Sequence, residues 1–337
     1  MSDTSRVKVY KYKNIAAALA VLLLIMVGIS TSCSSRNSNK KKTEDKPDKT
    51  TSSAVEKTAD DNEKRLTKNY EYKEMQNGTM LNNGLLLQVS EAHPFTGQIN
   101  GAESLYSFMF DENGEQVLAA SYPSDEALPE MLSALNKLAV DFEKDSGLST
   151  LMVSSMVPDE GASPKTDEAY IGSCADLMLY DYYNGTFEEF TGTEDYVWIP
   201  NNCYKYGFVM RGTNRLRYIG KEAAELIRFM SSSDGSADFE KMQTAIKEYT
   251  FEKPMYYSSD DGTEYVAYFV PADSGSTTTS VPVPTREDES EYKYVISGNN
   301  DDGYIVLVNM SDNNETELSV AAAPEDSSAE ETEQGEY

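Results

Sequence analysis

The stretch Asp167-Glu168-Ala169-Tyr170-Ile171-Gly172-Ser173-Cys174-Ala175-Asp176-Leu177 lies at the middle of a chain of 337 residues. It ends inside an apolar segment, residues 174–180, that predicts a strand. The stretch holds three carboxylates and no histidine, and the whole chain has a single histidine, His93, far away in sequence. These residues therefore predict a strand that begins among acidic groups with no imidazole beside them.

Strands and helices alternate on both sides of this stretch. Upstream, residues 85–89 and 151–154 are predicted as short strands, and downstream Asn184-Gly185 predicts the turn of a hairpin. Further elements are predicted at residues 198–206 (helix), 208–210 and 216–219 (strands), and 221–230 and 239–249 (helices).

A longer helix is predicted upstream, because apolar residues recur at helical spacing from Leu128 to Phe142. Ser124-Asp125-Glu126 predicts its cap and acidic first turn, and Gly147 its end. After residue 255, strands are predicted at 265–270, 292–297 and 304–309. The pattern predicts an α+β domain at residues 70–250, followed by a small β-rich extension at 251–310.

The N-terminus predicts export. Four basic residues precede an apolar run at 15–29, and small residues and Cys33 follow it. Residues 1–33 are thus predicted as an export signal or membrane anchor, with three alternatives open: an uncleaved anchor, a lipoprotein lipidated on Cys33, or a cleaved signal. Residues 34–69 are polar and predict a disordered tether. The predicted location is the cell membrane, with the body extracytoplasmic.

The chain is strongly acidic, with a formal net charge of −28. Residues 311–337 contribute to this charge and predict an acidic disordered tail. Such a charge disfavours nucleic acid as a partner of the body. A hydrophobic content of 39% and an aromatic content of 10% nevertheless suit a globular protein with several strands.

Several segments, in order along the chain, resemble zinc D-alanyl-D-alanine carboxypeptidases of the vancomycin-resistance (VanY) type. The opening stretch resembles the family motif S-x-H-x-x-G-x-A-x-D, and Asn202-Cys203-Tyr204-Lys205-Tyr206-Gly207-Phe208-Val209-Met210-Arg211 is similar to the family's NAxKYGFIxRY. The other similar segments are residues 83–94, the helix ending at Gly147, residues 216–224 and residues 296–306. The resemblance implies the D-Ala-D-Ala carboxypeptidase-like (hedgehog/DD-peptidase) fold.

The functional positions that the resemblance implies are mostly lost. Ala169 stands where the family has its first zinc histidine, and Asp176 matches the second ligand. Arg215 stands at the last zinc histidine and Gly212 at the general base. Val157 falls where the family has the arginine that contacts the substrate carboxylate.

One carboxylate cannot hold a catalytic zinc ion, which takes about three protein ligands and an open position for water. The prediction is therefore no metal, no cofactor and no catalytic residue, with Asp176 a structural carboxylate that is hydrogen-bonded or paired with Arg215. The predicted function is a membrane-tethered, cell-wall peptide-binding or scaffold pseudoenzyme, whose partners are peptidoglycan stem peptides or a cell-envelope protein. Two alternatives remain open. One is an active carboxypeptidase or metallopeptidase in which Asp176 binds a metal together with Glu168, Asp167 or Glu160. The other is a structural lipoprotein with a filled cleft.

Three further groups of residues leave alternatives open. Cys174 and Cys203 either form a disulfide or stay as buried thiols. The segment 299–303 predicts a β-turn, with a Ca²⁺ loop as the alternative, and His93 is predicted to stabilise a turn. Tyrosines that either pack on strands or line a groove are Tyr180, Tyr182, Tyr183, Tyr204 and Tyr206.

Overall fold

A computed structural model describes residues 69–157, 164–181, 184–234 and 238–311. The predicted export signal with Cys33, the tether up to residue 68 and the tail from residue 312 lie outside these ranges, as do Tyr182, Tyr183 and Glu160. Among the described residues, no helix combines the length and the apolar character needed to cross a bilayer.

The strands of the described ranges are β1 (Tyr70–Gln76), β2 (Glu103–Ser104), β3 (Ala119–Ala120), β4 (Glu126–Ala127), β5 (Leu151–Ser155), β6 (Cys174–Asp181), β7 (Thr186–Glu189), β8 (Phe208–Arg211), β9 (Arg215–Tyr218), β10 (Met255–Ser258), β11 (Glu264–Pro271), β12 (Thr278–Pro284), β13 (Lys293–Gly298) and β14 (Gly303–Asn309). The α-helices are α1 (Asn77–Met80), α2 (Pro129–Ser146), α3 (Trp198–Asn202), α4 (Lys221–Asp234) and α5 (Phe239–Ala245). Short 3₁₀ turns include Glu168–Ile171, Cys203–Tyr206 and Ile246–Glu248.

The first large sheet has the order β3-β5-β6-β9-β8, with β7 also paired to β6. Its strands are antiparallel except for the β3–β5 pair. Ala175, Leu177 and Leu179 of β6 belong to the core that the sheet shares with the apolar side of α2. Because side chains alternate along a strand, Cys174 and Asp176 lie on the opposite face of the sheet. That face holds the candidate site.

The second large sheet has the antiparallel order β10-β11-β14-β13. One of its faces packs against α4 and α5, with Ala267 and Leu307 in that core. The other face carries Val266 and Val306 and is covered by Met75 and Val281 of the two-stranded ribbon β1–β12. Segments on both sides of residue 250 therefore share one ribbon and two cores.

Helix α2 begins later than its sequence cap suggests. Residues Glu126–Ala127 form strand β4, which pairs with β2, and the helix starts at Pro129 with Leu128 as N-cap. Proline favours a helix start at Pro129, because its fixed φ suits the first turn and its missing N–H is not needed there. The helix ends, as predicted, at Gly147, which adopts a left-handed φ of 70°.

The predicted strand at residues 85–89 is wrong, although Leu86 and Leu87 are completely buried as expected. Side chains, rather than a neighbouring strand, satisfy the backbone of this segment. Arg217 donates to the Leu87 carbonyl, Gln243 donates to the Leu86 carbonyl, and the Leu86 N–H donates to Ser297. The hydrogen-bonding requirement of a buried backbone is thus met without a ladder.

The other predicted elements are present with shifted ends, including the β6–β7 hairpin around Asn184-Gly185 and the helix–3₁₀ pair at residues 198–206. The ribbon β1–β12 was not predicted.

Candidate functional site

Arg215 and Asp176 form a bidentate ion pair on the open face of the first sheet. They are register partners on β9 and β6, which brings their side chains together. Arg215 donates from Nε to Asp176 Oδ1 at 2.6 Å and from Nη2 to Oδ2 at 3.0 Å. Each side chain keeps 24% of its surface exposed. The bond to Asp176 raises the pKa of Arg215, so the guanidinium stays charged.

Asp167 joins this pair to the turn that carries Ala169. Its Oδ1 accepts from Arg215 Nη1 at 2.7 Å and from the Ala169 N–H at 2.8 Å. Asp167 is the N-cap of the 3₁₀ turn Glu168–Ile171, which ends at Gly172. The Gly172 carbonyl in turn accepts from Leu128 at the start of α2. Ala169, Asp176 and Arg215 are therefore joined by one chain of hydrogen bonds that runs through Asp167.

Glu168 bridges two further arginines. Arg211 Nε donates to both of its carboxylate oxygens at 3.1 Å, and Arg217 Nη1 donates to Oε2 at 2.8 Å. Arg211 also holds Glu240 of α5 through two hydrogen bonds. We call these three arginines, with Asp167, Glu168, Asp176 and Glu240, the arginine network.

Arg217 is the buried member of the network, with 1% of its side chain exposed. Its guanidinium lies 4.1 Å from the Phe239 ring centroid and donates to the Leu87 carbonyl at 2.6 Å. Burial lowers its pKa, and the charge of Glu168 opposes that effect. Its Nε has no hydrogen-bond partner in the described part of the chain. Arg217 thus ties the 85–87 segment to the sheet.

The network does not fit a zinc ion. Asp167, Glu168 and Asp176 each accept hydrogen bonds from an arginine, and Arg215 bonds both carboxylate oxygens of Asp176. Within the described ranges, no group of three or more His, Cys, Asp or Glu side chains is arranged to hold a metal ion. A guanidinium beside Asp176 would repel a dication.

Gly212 lies outside the network. It belongs to the three-residue loop between β8 and β9, where Arg211 pairs with Arg215. Its φ is 70°, and a Cβ added to it would meet no atom within 4 Å. At this position there is no side chain to accept a proton.

A cleft of about 430 Å³ opens beside the network. Ala169, which is 4% exposed, and Val157, which is 46% exposed, both line it. The remaining lining residues are Phe95, Gly97, Gln98, Ile99, Lys165 and Tyr170. These six were not predicted to line a cleft, because they come from two segments, residues 95–99 and 165–170, that are far apart in sequence.

Cys174 and Cys203 are both buried and free, so the disulfide considered from the sequence is not formed. Cys203 packs in the core with Ala175 and Leu177, whereas Cys174 lies on the opposite face of β6, in register with Arg217. The sheet therefore separates the two sulfur atoms. Burial raises the pKa of each thiol to about 12.

The loop that leads into the cleft, residues 88–94, is held by the turn between β13 and β14. Asn300, at a φ of 59°, donates from its amide to the carbonyls of Gln88 and His93, and the His93 ring contacts the Asn300 carbonyl at 3.2 Å. Asn299 Oδ1 accepts from three successive N–H groups at residues 301–303. The segment 299–303 is thus the predicted turn. The His93 ring contacts this turn, whereas the sequence predicts a role in the turn before Pro94.

The described tyrosines of the predicted groove lie away from the cleft. Tyr204 donates to Asp260, and Tyr206 donates to Asp141, each at 2.6 Å. Tyr180 packs on Phe187 of the adjacent strand. Packing with a hydrogen-bonded hydroxyl accounts for Tyr204 and Tyr206, and ring packing accounts for Tyr180.

No family model matches this sequence, and no curated protein matches it. Solved structures are similar: the D,D-dipeptidase VanXYg in complex with a D-Ala-D-Ala phosphinate analogue matches with a TM-score of 0.54 and 20% identity over 71% of this chain and 98% of that one. The LD-carboxypeptidase LdcB matches with a TM-score of 0.37 and 21% identity over 50% of this chain and 88% of that one. A mutant of the D,D-pentapeptidase VanY with Zn(II) matches with a TM-score of 0.31 and 16% identity over 47% and 98%. The similarity to VanXYg confirms the predicted fold: this chain has the mixed helix and sheet fold of the D,D-peptidases.

Proposed function

We propose that this protein is a membrane-tethered, extracytoplasmic pseudoenzyme that binds peptidoglycan stem peptides and does not hydrolyse them. The observation that carries the proposal is the bidentate pair between Arg215 and Asp176, next to Ala169. A guanidinium takes the place in which the resembled family binds its catalytic dication. The positive charge is retained there, but it brings no open coordination position for water.

Loss of hydrolysis follows from the chemistry of these groups. Zinc peptidases use the metal to activate water and to polarise the carbonyl, and they need a base to take a proton. Arginine keeps its proton at physiological pH and cannot act as that base. Gly212 supplies no side chain, and the carboxylates of the network are held by arginines.

Retained binding is supported by the cleft. A space of about 430 Å³ remains open beside Ala169 and Val157, and its size falls within the range of sites for small ligands. VanXYg, which has the same fold, holds an analogue of D-Ala-D-Ala. A short wall peptide is therefore the ligand class that we propose, with a cell-envelope protein as the second partner class.

The proposed location depends on the N-terminal sequence. The basic cluster, apolar run and Cys33 are typical of an exported and anchored chain. A polar tether would let the folded body reach the wall while it stays attached to the membrane.

Metal analysis and an activity assay on the purified protein test the proposal. We expect far less than one zinc ion per chain and no D-alanine release from a stem pentapeptide, together with measurable peptide binding by calorimetry. Stoichiometric zinc with D-alanine release would overturn the proposal. Asp176→Asn is the matched variant: any hydrolysis that depends on Asp176 would favour the rearranged metal site, whereas absence of peptide binding would favour a purely structural role.

A further inference from the structure

Lys165 is the single charged residue among the eight that line the cleft. Its main-chain carbonyl accepts from the Phe95 N–H at 2.8 Å, which fixes its segment against the opposite wall. Its Nζ lies 5.8 Å from the Phe95 ring centroid and 5.4 Å from that of Tyr170. The ammonium group is therefore held over two aromatic faces at the cleft.

The charge of Lys165 is not committed to a carboxylate in the described ranges, where no ion pair involves it. Arg211, Arg215 and Arg217 differ, because each lies within 3.1 Å of a carboxylate oxygen. Val157, which lines the same cleft, is apolar and offers no charge to a ligand. In the described part of the cleft, the positive charge available to a ligand is that of Lys165.

We infer that Lys165 binds the carboxylate of a peptide seated in this cleft, on the side facing Phe95 and Tyr170. This inference rests on the proposed function and narrows its ligand class to short peptides with a free C-terminal carboxylate. The apolar part of the terminal residue would pack against Ile99 and Phe95. The chain has a net charge of −28, so most of its surface repels an anion. A single lysine in the cleft can therefore orient the carboxylate.

The size of the effect follows from the exposure of the site. Lys165 is exposed at the mouth of the cleft, so its ion pair with a carboxylate is partly screened by water and salt. A charge-assisted hydrogen bond is nevertheless stronger than a neutral one. We expect about a tenfold contribution to affinity, which decreases as salt is added.

Calorimetry on the full chain, purified in detergent, with two matched peptides tests this inference. One peptide is a stem fragment that ends in D-Ala-D-Ala with a free carboxylate, and the other is the same fragment with a C-terminal amide. The wild type should bind the acid about tenfold more tightly than the amide. Lys165→Gln should abolish that difference, and Lys165→Arg should keep most of it.

Lys205→Gln is the matched control, because Lys205 also lies over a tyrosine ring, at 5.9 Å, but outside the cleft. It should leave both affinities unchanged. If the acid and the amide bind equally, or if Lys165→Gln retains the preference, the role of Lys165 is refuted while peptide binding stands. If neither peptide binds, the proposed function fails, and this inference fails with it.

Discussion

Replacing Arg215 with methionine removes the guanidinium but keeps a long side chain at the same position on β9. Asp176 then loses both hydrogen bonds that its carboxylate makes to Arg215, and Asp167 loses one of its two. Breaking a fully buried ion pair costs about 3–5 kcal/mol, whereas an exposed pair contributes at most about 1 kcal/mol. Because both side chains are 24% exposed, we expect a cost of about 2–3 kcal/mol.

That cost should be visible as a lower melting temperature. For a protein of this size, 1 kcal/mol corresponds to about 2–4 °C, so Arg215→Met should lower the Tm by roughly 5–10 °C. Arg215→Lys keeps the charge but cannot form the bidentate pair. Its Tm should therefore lie between that of the wild type and that of Arg215→Met.

A double-mutant cycle isolates the pair itself. Combining Arg215→Met with Asp176→Asn should give a coupling energy of about 2 kcal/mol in urea unfolding. The same cycle on Lys73 and Glu291, 2.7 Å apart but 28% and 53% exposed, should give less than about 1 kcal/mol. A coupling near zero for Arg215 and Asp176, with an unchanged Tm, would refute the view that this pair holds the site together.

Three other predictions follow from the same region and its surroundings. Burial raises the pKa of the Cys174 and Cys203 thiols to about 12, so both should resist labelling at pH 8 in the folded protein. Both should react in denaturant without added reductant. A disulfide-linked peptide in mass spectrometry would contradict this. Burial raises the pKa of Glu225 from 4.5 to about 7, so the folded state binds its proton more tightly and stability should fall as the pH rises from 4.5 to 7. Glu225→Gln should remove that loss in Tm scans between pH 5 and pH 8, and an unchanged slope would exclude the assignment. Joining Ala169→His to Arg215→His supplies two imidazoles beside the retained aspartate, so calorimetry should detect one zinc ion bound at least about tenfold more tightly than by Ala169→His alone. Equal affinities would show that Arg215 does not block the metal.

The sequence predicts best where one local pattern decides the structure. The apolar spacing of residues 128–142 is that of a helix, and its end at Gly147 follows from the left-handed conformation that glycine favours. For Asp176 the sequence left two roles open, a hydrogen-bonded carboxylate or a pair with Arg215, and the structure contains the pair. The beginning of the helix was misplaced, because Glu126–Ala127 pairs with residues more than twenty positions upstream.

Long-range contacts account for what the sequence did not predict. Ribbon strand β12 has the sequence TTSVPVP, which contains two prolines. Proline has no N–H to donate to a neighbouring strand, so it argues against a strand unless that side of the backbone has no partner. That partner, β1, lies about two hundred residues away. The role of Arg217 is likewise invisible locally, since the carbonyls that it binds belong to residues 85–87. The cleft unites residues 95–99 with Val157 and with residues 165–170 for the same reason.

Two long-range contacts also bear on the order in which the chain can fold as it is made. One is the pairing of β1 with β12, and the other is the set of hydrogen bonds from the Asn300 amide to the carbonyls of residues 88, 93 and 94. The first strand of the described body finds its partner only after residue 284 has been synthesised, and the hydrogen bonds from Asn300 to the segment before Phe95 form only after residue 300. Closing a loop of about two hundred residues costs roughly 2 kcal/mol more than closing one of twenty. A chain that stops at residue 250 therefore lacks both sets of contacts, so the segment that leads into the cleft is fully held only after β12 and Asn300 have been made.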